Sequence, residues 1–268
     1  MAAETIAVLS QKGGTGKTTT VRTLADTLRR VELRTLAIDL DPQGNLSDYF
    51  DVAPDAEPTI GDVLAGRAKA SAAVHDDIIP ANLGLAEAEL VLSGKMGREL
   101  TLRKALKDVS SDYDVILIDC PPALGLLTVN ALVAADHALI SSEAQYFAMQ
   151  GVEQALEVIE LARDNLNPDL EWLGVVLNIA DMRTVHSREA YKTLRESFDD
   201  KAFMTSVRQS IAYAESAERA VSILDFRPDL AADYLALADE VLERLGFDDA
   251  RRRLAPMLDG VPARRVSS

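Results

Sequence analysis

The sequence predicts an α/β domain with a doubly wound, mostly parallel sheet flanked by helices. Short aliphatic runs alternate with longer amphipathic segments along most of the chain, which is the pattern of parallel strands connected by helices. A glycine-rich turn connects the first aliphatic run to the first amphipathic segment. Two later aliphatic runs carry an aspartate at their carboxyl end, Asp39 and Asp119, where ligands bind in folds of this class.

The aliphatic runs predict five strands. They read TIAVLS, TLAIDL, DVILID, HALISS and WLGVVLN, at residues 5–10, 35–40, 114–119, 137–142 and 172–178. Apolar residues that recur every three to four positions predict helices at 17–31, 100–108, 126–134, 148–165, 187–197 and 230–245. Pro54, Pro58 and Gly61 predict a loop region after the second strand.

Residues 1–246 are predicted to form one domain, since 268 residues suit one large α/β unit. Residues 247–268 contain five arginines and a polar end, and we expect a flexible tail there. Pro256 should break any amphipathic helix in this tail early. A short basic contact with a membrane or with DNA is the alternative interpretation of these residues.

Composition limits the classes of function. The formal net charge is −15, which argues against a surface that coats nucleic acid as a whole. No apolar run reaches the length of a membrane span, and the first residues lack the pattern of a signal peptide. Cys120 is the single cysteine, so we expect a buried core thiol in a cytoplasmic protein.

The segment LSQKGGTGKTTT predicts a site for a nucleoside triphosphate. Gly14 to Thr18 read Gly-x-Gly-Lys-Thr between a predicted strand and a predicted helix, which is the context of a phosphate-binding loop. The glycines let backbone N–H groups surround phosphates, and the helix N-terminus adds a partial positive charge. Lys17 is placed to neutralise the terminal phosphates and the Thr18 hydroxyl to bind Mg²⁺.

Lys12 is a second lysine, at the entrance of this loop, and is badly placed to reach the far phosphates of its own nucleotide. The segment KGGTGKTTT resembles the deviant Walker A motif of the ParA/MinD ATPases, within the P-loop NTPase fold, and in particular the ParA/Soj partition branch. The resemblance implies that Lys12 contacts the phosphates of the facing subunit in an ATP-bound homodimer. It also implies an ATP site formed by Lys12, Gly13, Gly14, Thr15, Gly16, Lys17, Thr18 and Thr19.

Carboxylates at strand ends suggest a magnesium site. Asp39 and Asp41 lie two positions apart and should face the same side of their strand, and Asp119 ends an otherwise apolar strand. Such carboxylates suit Mg²⁺ or the positioning of a water molecule, although a polar turn or a capping aspartate would look similar. The resemblance assigns Asp41 to the attacking water, making Lys12 and Asp41 the catalytic residues. Thr18, Asp39 and Asp119 are the candidates for Mg²⁺.

Further along the chain, the resemblance implies a nucleoside contact and a DNA-binding surface. Asn178 ends the segment GVVLN and corresponds to an asparagine that contacts adenine, although an ordinary strand-end asparagine is the alternative. Arg183, Arg208 and Arg227 are the candidate DNA contacts. Arg188, Lys192 and Arg195 share one face of a predicted helix, but acidic neighbours dilute that face, and a solvated surface remains an alternative.

The resemblance thus implies an ATP-dependent dimerising ATPase that binds DNA without sequence preference and segregates a plasmid or chromosome. Turnover should be slow without a ParB-like or adaptor partner, because no arginine finger is evident, and nucleoid association is expected. The alternatives are the same ATPase moving a carboxysome or chemoreceptor cluster, a MinD-like membrane-associated cell-division ATPase, and a metabolic P-loop enzyme. Ser141 stands where relatives usually have proline, and Glu218 and Arg219 replace a glycine-lysine pair. These departures affect the prediction of the partners more than the prediction of ATP binding.

Overall fold

Seven strands form one sheet in the computed structural model, which describes residues 3–144 and 148–259. All of the paired strands are parallel, in the order β3-β2-β4-β1-β5-β6-β7 across the sheet. The predicted fold class and all five predicted strands are confirmed. The strands are β1 (Glu4–Leu9), β2 (Thr35–Asp39), β3 (Ile78–Ile79), β4 (Val115–Asp119), β5 (His137–Glu143), β6 (Glu171–Ala180) and β7 (Ala202–Arg208).

The sequence did not predict the two edge strands, for two different reasons. β3 contains two residues, which is too short for any periodicity to be visible. β7 has the sequence AFMTSVR, in which polar residues interrupt the apolar pattern.

The six predicted helices are present, with ends within two residues of the prediction. Gly61 lies inside a further helix rather than in a loop, because the Thr59 and Asp62 side chains cap that helix. The helices are α1 (Lys17–Arg30), α2 (Asn45–Tyr49), α3 (Ile60–Ala65), α4 (Gly84–Ser93), α5 (Thr101–Leu106), α6 (Leu126–Ala134), α7 (Ala148–Asn165), α8 (Val185–Phe198), α9 (Ala212–Glu218), α10 (Ile223–Phe226), α11 (Pro228–Arg244) and α12 (Asp248–Asp259).

Helices cover both faces of the sheet and bury two hydrophobic clusters. One cluster packs α1, α11 and α12 against Ile6 and Val8 of β1. The other packs helices α3 to α8 against Ala7 and Leu9 of the same strand. Successive residues of a strand point to opposite faces, so a strand covered on both sides must be apolar at nearly every position.

The expectation of a flexible tail is wrong for residues 248–259, which form α12. Ala250 and Leu254 are buried against the cluster that contains α1 and α11. The guanidinium of Arg251 bonds Asp239 on α11, and Arg253 Nε donates to the carbonyl of Val31 at 2.7 Å. The helix continues through Pro256, because these contacts offset the lost hydrogen bond. Residues 260–268 of the predicted tail lie outside the described residues.

The topology places the functional site beside β1. The chain leaves β1 through α1 to β2 on one side, whereas β5 pairs with β1 on the other side. A crevice therefore opens at the carboxyl end of β1, where the strand order reverses and ligands bind in such sheets. Within the described ranges, no helix is long and apolar enough to cross a bilayer.

Candidate active site

The loop between β1 and α1 has the backbone shape of a phosphate cradle. Gly14 and Gly16 adopt positive φ angles of 77° and 83°, a region that L side chains rarely enter. Lys17 is the first residue of α1 and its side chain is buried, with 6% of the residue exposed. Its Nζ donates to Ser10 Oγ at 3.0 Å. The ammonium group is thus held at the helix N-terminus, where an anion binds favourably.

Two residues from neighbouring strands fasten this loop to the sheet. The carbonyl of Thr15 accepts hydrogen bonds from Ser141 Oγ at 2.7 Å and from Asn178 Nδ2 at 3.0 Å. Asn178 Nδ2 also lies 2.7 Å from Ser141 Oγ. A Cβ atom on Gly16 would lie 3.2 Å from Asn178 Nδ2, so the loop packs tightly here. Sequence reasoning noted Ser141 as a departure from relatives but missed this contact.

Asn178 therefore also stabilises the phosphate loop, a role that the sequence did not predict. Its Oδ1 atom is buried and has no hydrogen-bond partner among the described residues, and the residue lines the main cavity. An unpaired amide oxygen is an acceptor for an amine such as that of adenine. The adenine contact stays a prediction that this geometry suits.

The Thr18 hydroxyl and Asp119 form the centre of the predicted metal site. Thr18 Oγ1 donates to Asp119 Oδ2 at 2.7 Å. Asp119 Oδ1 is buried and has no hydrogen-bond partner within the described part of the chain. Burial raises the pKa of Asp119, and the nearby Asp39 carboxylate raises it further. A carboxylate oxygen without a partner beside a hydroxyl fits a hard cation, so these residues suit Mg²⁺.

Asp39 and Asp41 lie at the same end of the sheet but in different surroundings. Asp39 is buried and accepts three hydrogen bonds, from Ser47 N, Ser47 Oγ and Asp41 N. Its carboxylate therefore fixes the loop that follows β2, and its predicted place near Mg²⁺ remains untested. Asp41 lines the main cavity together with the phosphate loop, which is where a residue that orients water must lie.

Lys12 lies away from Lys17. Its side chain is 64% exposed, and its Nζ pairs with Glu143 at 3.0 Å. It lines a separate cleft of about 330 Å³ with Ser10, Ser141 and Glu143. The main cavity of about 880 Å³ is lined by Gly13 to Thr19 but, among the described residues, not by Lys12. The structure thus separates the two lysines that the sequence placed in one loop.

The three arginines predicted to contact DNA have different surroundings. Arg183 is exposed on the loop after β6 and pairs with Asp181 through two hydrogen bonds of 2.9 Å. Arg227 precedes α11 and pairs with Asp229 in the same way. Arg208 instead lines the main cavity and pairs with the buried Asp233.

Comparison with known proteins agrees with this geometry. A family model described as an AAA domain matches residues 3–172. The sporulation initiation inhibitor protein Soj of Bacillus subtilis is 38% identical, over 88% of this chain and 97% of Soj. The chromosome partitioning protein ParA of Myxococcus xanthus is 36% identical, over 93% and 92% of the two chains.

Two solved structures share the fold. A cobyrinic acid a,c-diamide synthase from Mycobacterium smegmatis, with bound ADP and magnesium, is 35% identical with a TM-score of 0.73, over 86% of this chain and 93% of that one. An ATP complex of a McdA variant from Cyanothece is 25% identical with a TM-score of 0.81, over 91% and 97%. Because Soj and ParA match nearly the whole chain at well above 30% identity, this chain belongs to the ParA/Soj family of P-loop ATPases.

Proposed function

We propose that this protein is an ATP-dependent dimerising ATPase that binds DNA without sequence preference in its ATP state and drives segregation of a plasmid or chromosome. ATP and Mg²⁺ are its cofactors, and it acts at the nucleoid. The names of its relatives support this proposal, since Soj and ParA proteins from several bacteria are described as chromosome-partitioning proteins.

The different positions of Lys12 and Lys17 carry the proposal. Lys17 is buried at the helix N-terminus inside the main cavity, so it neutralises the nucleotide of its own subunit. Lys12 lines a different cleft and is 64% exposed. The Lys12 ammonium group lies next to the phosphate loop but outside the nucleotide cavity of its own subunit. It can therefore approach the phosphates bound by a facing copy of the chain. Lys12 would then exchange Glu143 for those phosphates.

The residues of the cavity divide the chemistry between them. Backbone N–H groups of the loop and Lys17 bind and orient the phosphates. Asp41 orients the attacking water and accepts its proton as the water oxygen bonds to the γ-phosphorus and the bond from that phosphorus to the bridging oxygen breaks, releasing ADP and phosphate. Thr18 and Asp119 would hold Mg²⁺, which supplies Lewis-acid neutralisation of phosphate charge. A ParB-like or adaptor partner accelerates the otherwise slow reaction.

The energetics are those of a nucleotide switch. ATP favours the dimer only by the free energy that its γ-phosphate contributes in the dimer and not in the monomer. Hydrolysis removes that contribution, so the dimer dissociates and releases DNA. Because each DNA contact displaces counterions, the affinity for DNA falls as the salt concentration rises.

The Asp41→Ala variant provides the test, because it should retain ATP and trap the dimer. We expect light scattering to show a dimer with ATP and a monomer with ADP, and the Lys12→Ala/Asp41→Ala variant to stay monomeric while still binding ATP. DNA should sediment with the trapped dimer and dissociate along a salt series. A double variant that dimerises normally would refute the role of Lys12 across the interface.

A second candidate function is a synthase activity, which the name of the 35% identical M. smegmatis structure favours. The same experiment separates the two functions. We expect a partition ATPase to bind DNA when ATP is present, whereas we expect no DNA binding by a synthase. A trapped dimer that leaves DNA free under all salt conditions would favour the synthase.

A further inference from the structure

Arg208 lines the main cavity together with the segment that follows β7. The phosphate loop with Asp41 forms one group of the residues that line the cavity, and the segment from Val207 to Glu218 after β7 forms a second group. A nucleotide whose phosphates lie on the loop must place its base and ribose in the remaining space. Arg208 is the last residue of β7 and lies within this second group.

Asp233 of α11 holds Arg208 in a fixed orientation. The carboxylate accepts from Arg208 Nε at 2.7 Å, from Nη2 at 2.6 Å and from the backbone N–H at 3.0 Å. Asp233 is 5% exposed, whereas the Arg208 side chain is 36% exposed. A paired fork of this kind fixes the plane of the guanidinium as well as its position. The buried side of the group is thus occupied and its other side faces the cavity.

Asp233 uses the N–H of Nε and one N–H of Nη2, so the Nη1 N–H pair and the second Nη2 N–H of Arg208 are available for a ligand. Arg208 Nη1 has no acceptor among the described residues. A planar cation with a spare N–H pair can stack on a base or donate to acceptor atoms of base or ribose. Tyr213, on α9, also lines this end of the cavity.

We propose that Arg208 is a nucleoside-contacting residue, oriented by Asp233, that sets the affinity for the base and ribose of ATP rather than for its phosphates. This inference rests on the proposed binding of ATP. It replaces the predicted DNA contact of Arg208, because the N–H groups that Asp233 leaves free belong to a side chain that lines the nucleotide cavity.

The chain offers a matched control in Arg34. Its backbone N–H, Nε and Nη2 donate to Asp114 in the same three-point arrangement, at 2.9, 3.2 and 2.7 Å. Arg34 and Asp114 lie just before β2 and β4, at the opposite end of the strands from the cavity. Replacement of Arg34 therefore reports what loss of such a pair does to the fold alone.

The experiment compares titrations of Mg²⁺-ATP and Mg²⁺-tripolyphosphate into the wild type, Arg208→Lys and Arg34→Lys. Lysine keeps a cation for Asp233 but loses the fork, so Arg208→Lys should stay folded, which thermal unfolding checks. We expect its Kd for ATP to rise about tenfold, the size of one charge-assisted contact. Its Kd for tripolyphosphate should stay unchanged, and Arg34→Lys should match the wild type for both ligands.

Asp233→Asn provides a second variant, since it leaves Arg208 intact but loosens its orientation. It should also raise the Kd for ATP and leave the Kd for tripolyphosphate unchanged. An equal rise in Kd for both ligands, or an unchanged Kd for ATP, would overturn the inference while leaving the proposed function intact. A wild type that bound no ATP would overturn both.

Discussion

Thr18 Oγ1 donates a hydrogen bond to Asp119 Oδ2 at 2.7 Å, while Oδ1 of the same carboxylate is buried without a partner among the described residues. A buried carboxylate with one unsatisfied oxygen destabilises the fold. A cation bound there would remove this penalty. The site is therefore arranged so that metal binding, rather than the protein alone, completes it.

The Asp119→Asn variant should lose metal affinity without losing stability. Asparagine is neutral at every pH and so avoids the cost of burying an ionisable carboxyl group, and the free energy of unfolding without metal should be equal to or above that of the wild type. The affinity for Mg²⁺ in the presence of ADP should fall about 10- to 100-fold. Thermal unfolding across a Mg²⁺ titration measures both effects. An unchanged Mg²⁺ midpoint would contradict the assignment, and Asp114→Asn, before the same strand, serves as the control.

The stability of the metal-free protein should fall as the pH rises through neutrality. Burial raises the pKa of Asp119, and burial also raises that of Asp39. Above the ordinary carboxyl pKa of about 4, the unfolded chain has lost these protons while the folded chain still holds them. The free energy of unfolding therefore decreases with pH until the folded pKa values are passed. Mg²⁺ competes with the protons, so its stabilising effect should grow over the same range.

Urea unfolding at about pH 5 and about pH 8, a range in which the carboxyl groups of the unfolded chain are already ionised, measures this dependence with and without Mg²⁺. Other groups titrate as well, so the informative quantity is the difference between the wild type and Asp119→Asn in the pH dependence of the free energy of unfolding. That difference should shrink when Mg²⁺ is present. Parallel pH profiles for the two proteins would show that Asp119 is not protonated in the fold.

Ser141→Ala should loosen the phosphate loop. The Ser141 hydroxyl donates to the Thr15 carbonyl and accepts from Asn178, so its removal leaves Asn178 Nδ2 with fewer acceptors. We expect a loss of about 1–2 kcal/mol in the free energy of unfolding and a several-fold weaker affinity for ATP. Ser142→Ala is the matched control, because Ser142 is the next residue of β5 and is also buried, with 6% of the residue exposed. Equal losses in both variants would contradict the role of Ser141.

Arg183→Ala should weaken DNA binding by the ATP-trapped dimer and make it less sensitive to salt. The Arg183 side chain is 88% exposed and pairs with Asp181, so in the proposed complex Asp181 would compete with DNA phosphates for the guanidinium. Removing one phosphate contact should reduce the slope of log affinity against log salt concentration by about 1. Asp181→Asn should have the opposite effect and tighten binding. Co-sedimentation along a salt series measures the slope, and unchanged slopes in both variants would exclude this loop from the interface.

The buried strands and the phosphate loop could be predicted from the sequence because their causes are local. A parallel strand covered on both faces must be aliphatic, as β1, β2 and β4 are, and this pattern is visible in the sequence. Gly14, Gly16 and Lys17 act through the backbone shape of one short loop. The edge strand β7 and the helix α12 were missed because contacts with distant residues, such as Leu254 with the α1 cluster, decide whether they form.

The sequence by itself determined the family, the doubly wound fold and the candidate residues for phosphate binding. Only the tertiary structure decided which surroundings, and so which candidate roles, residues of the same type have. Lys12 and Lys17 differ because one faces a cleft with Glu143 and the other the main cavity. Arg183 and Arg208 differ because Asp181 lies in the same exposed loop, whereas Asp233 comes from a buried position on α11. The reason is physical, since charge and hydrogen-bonding capacity belong to a residue, but burial and partners are set by elements that are far apart in the chain.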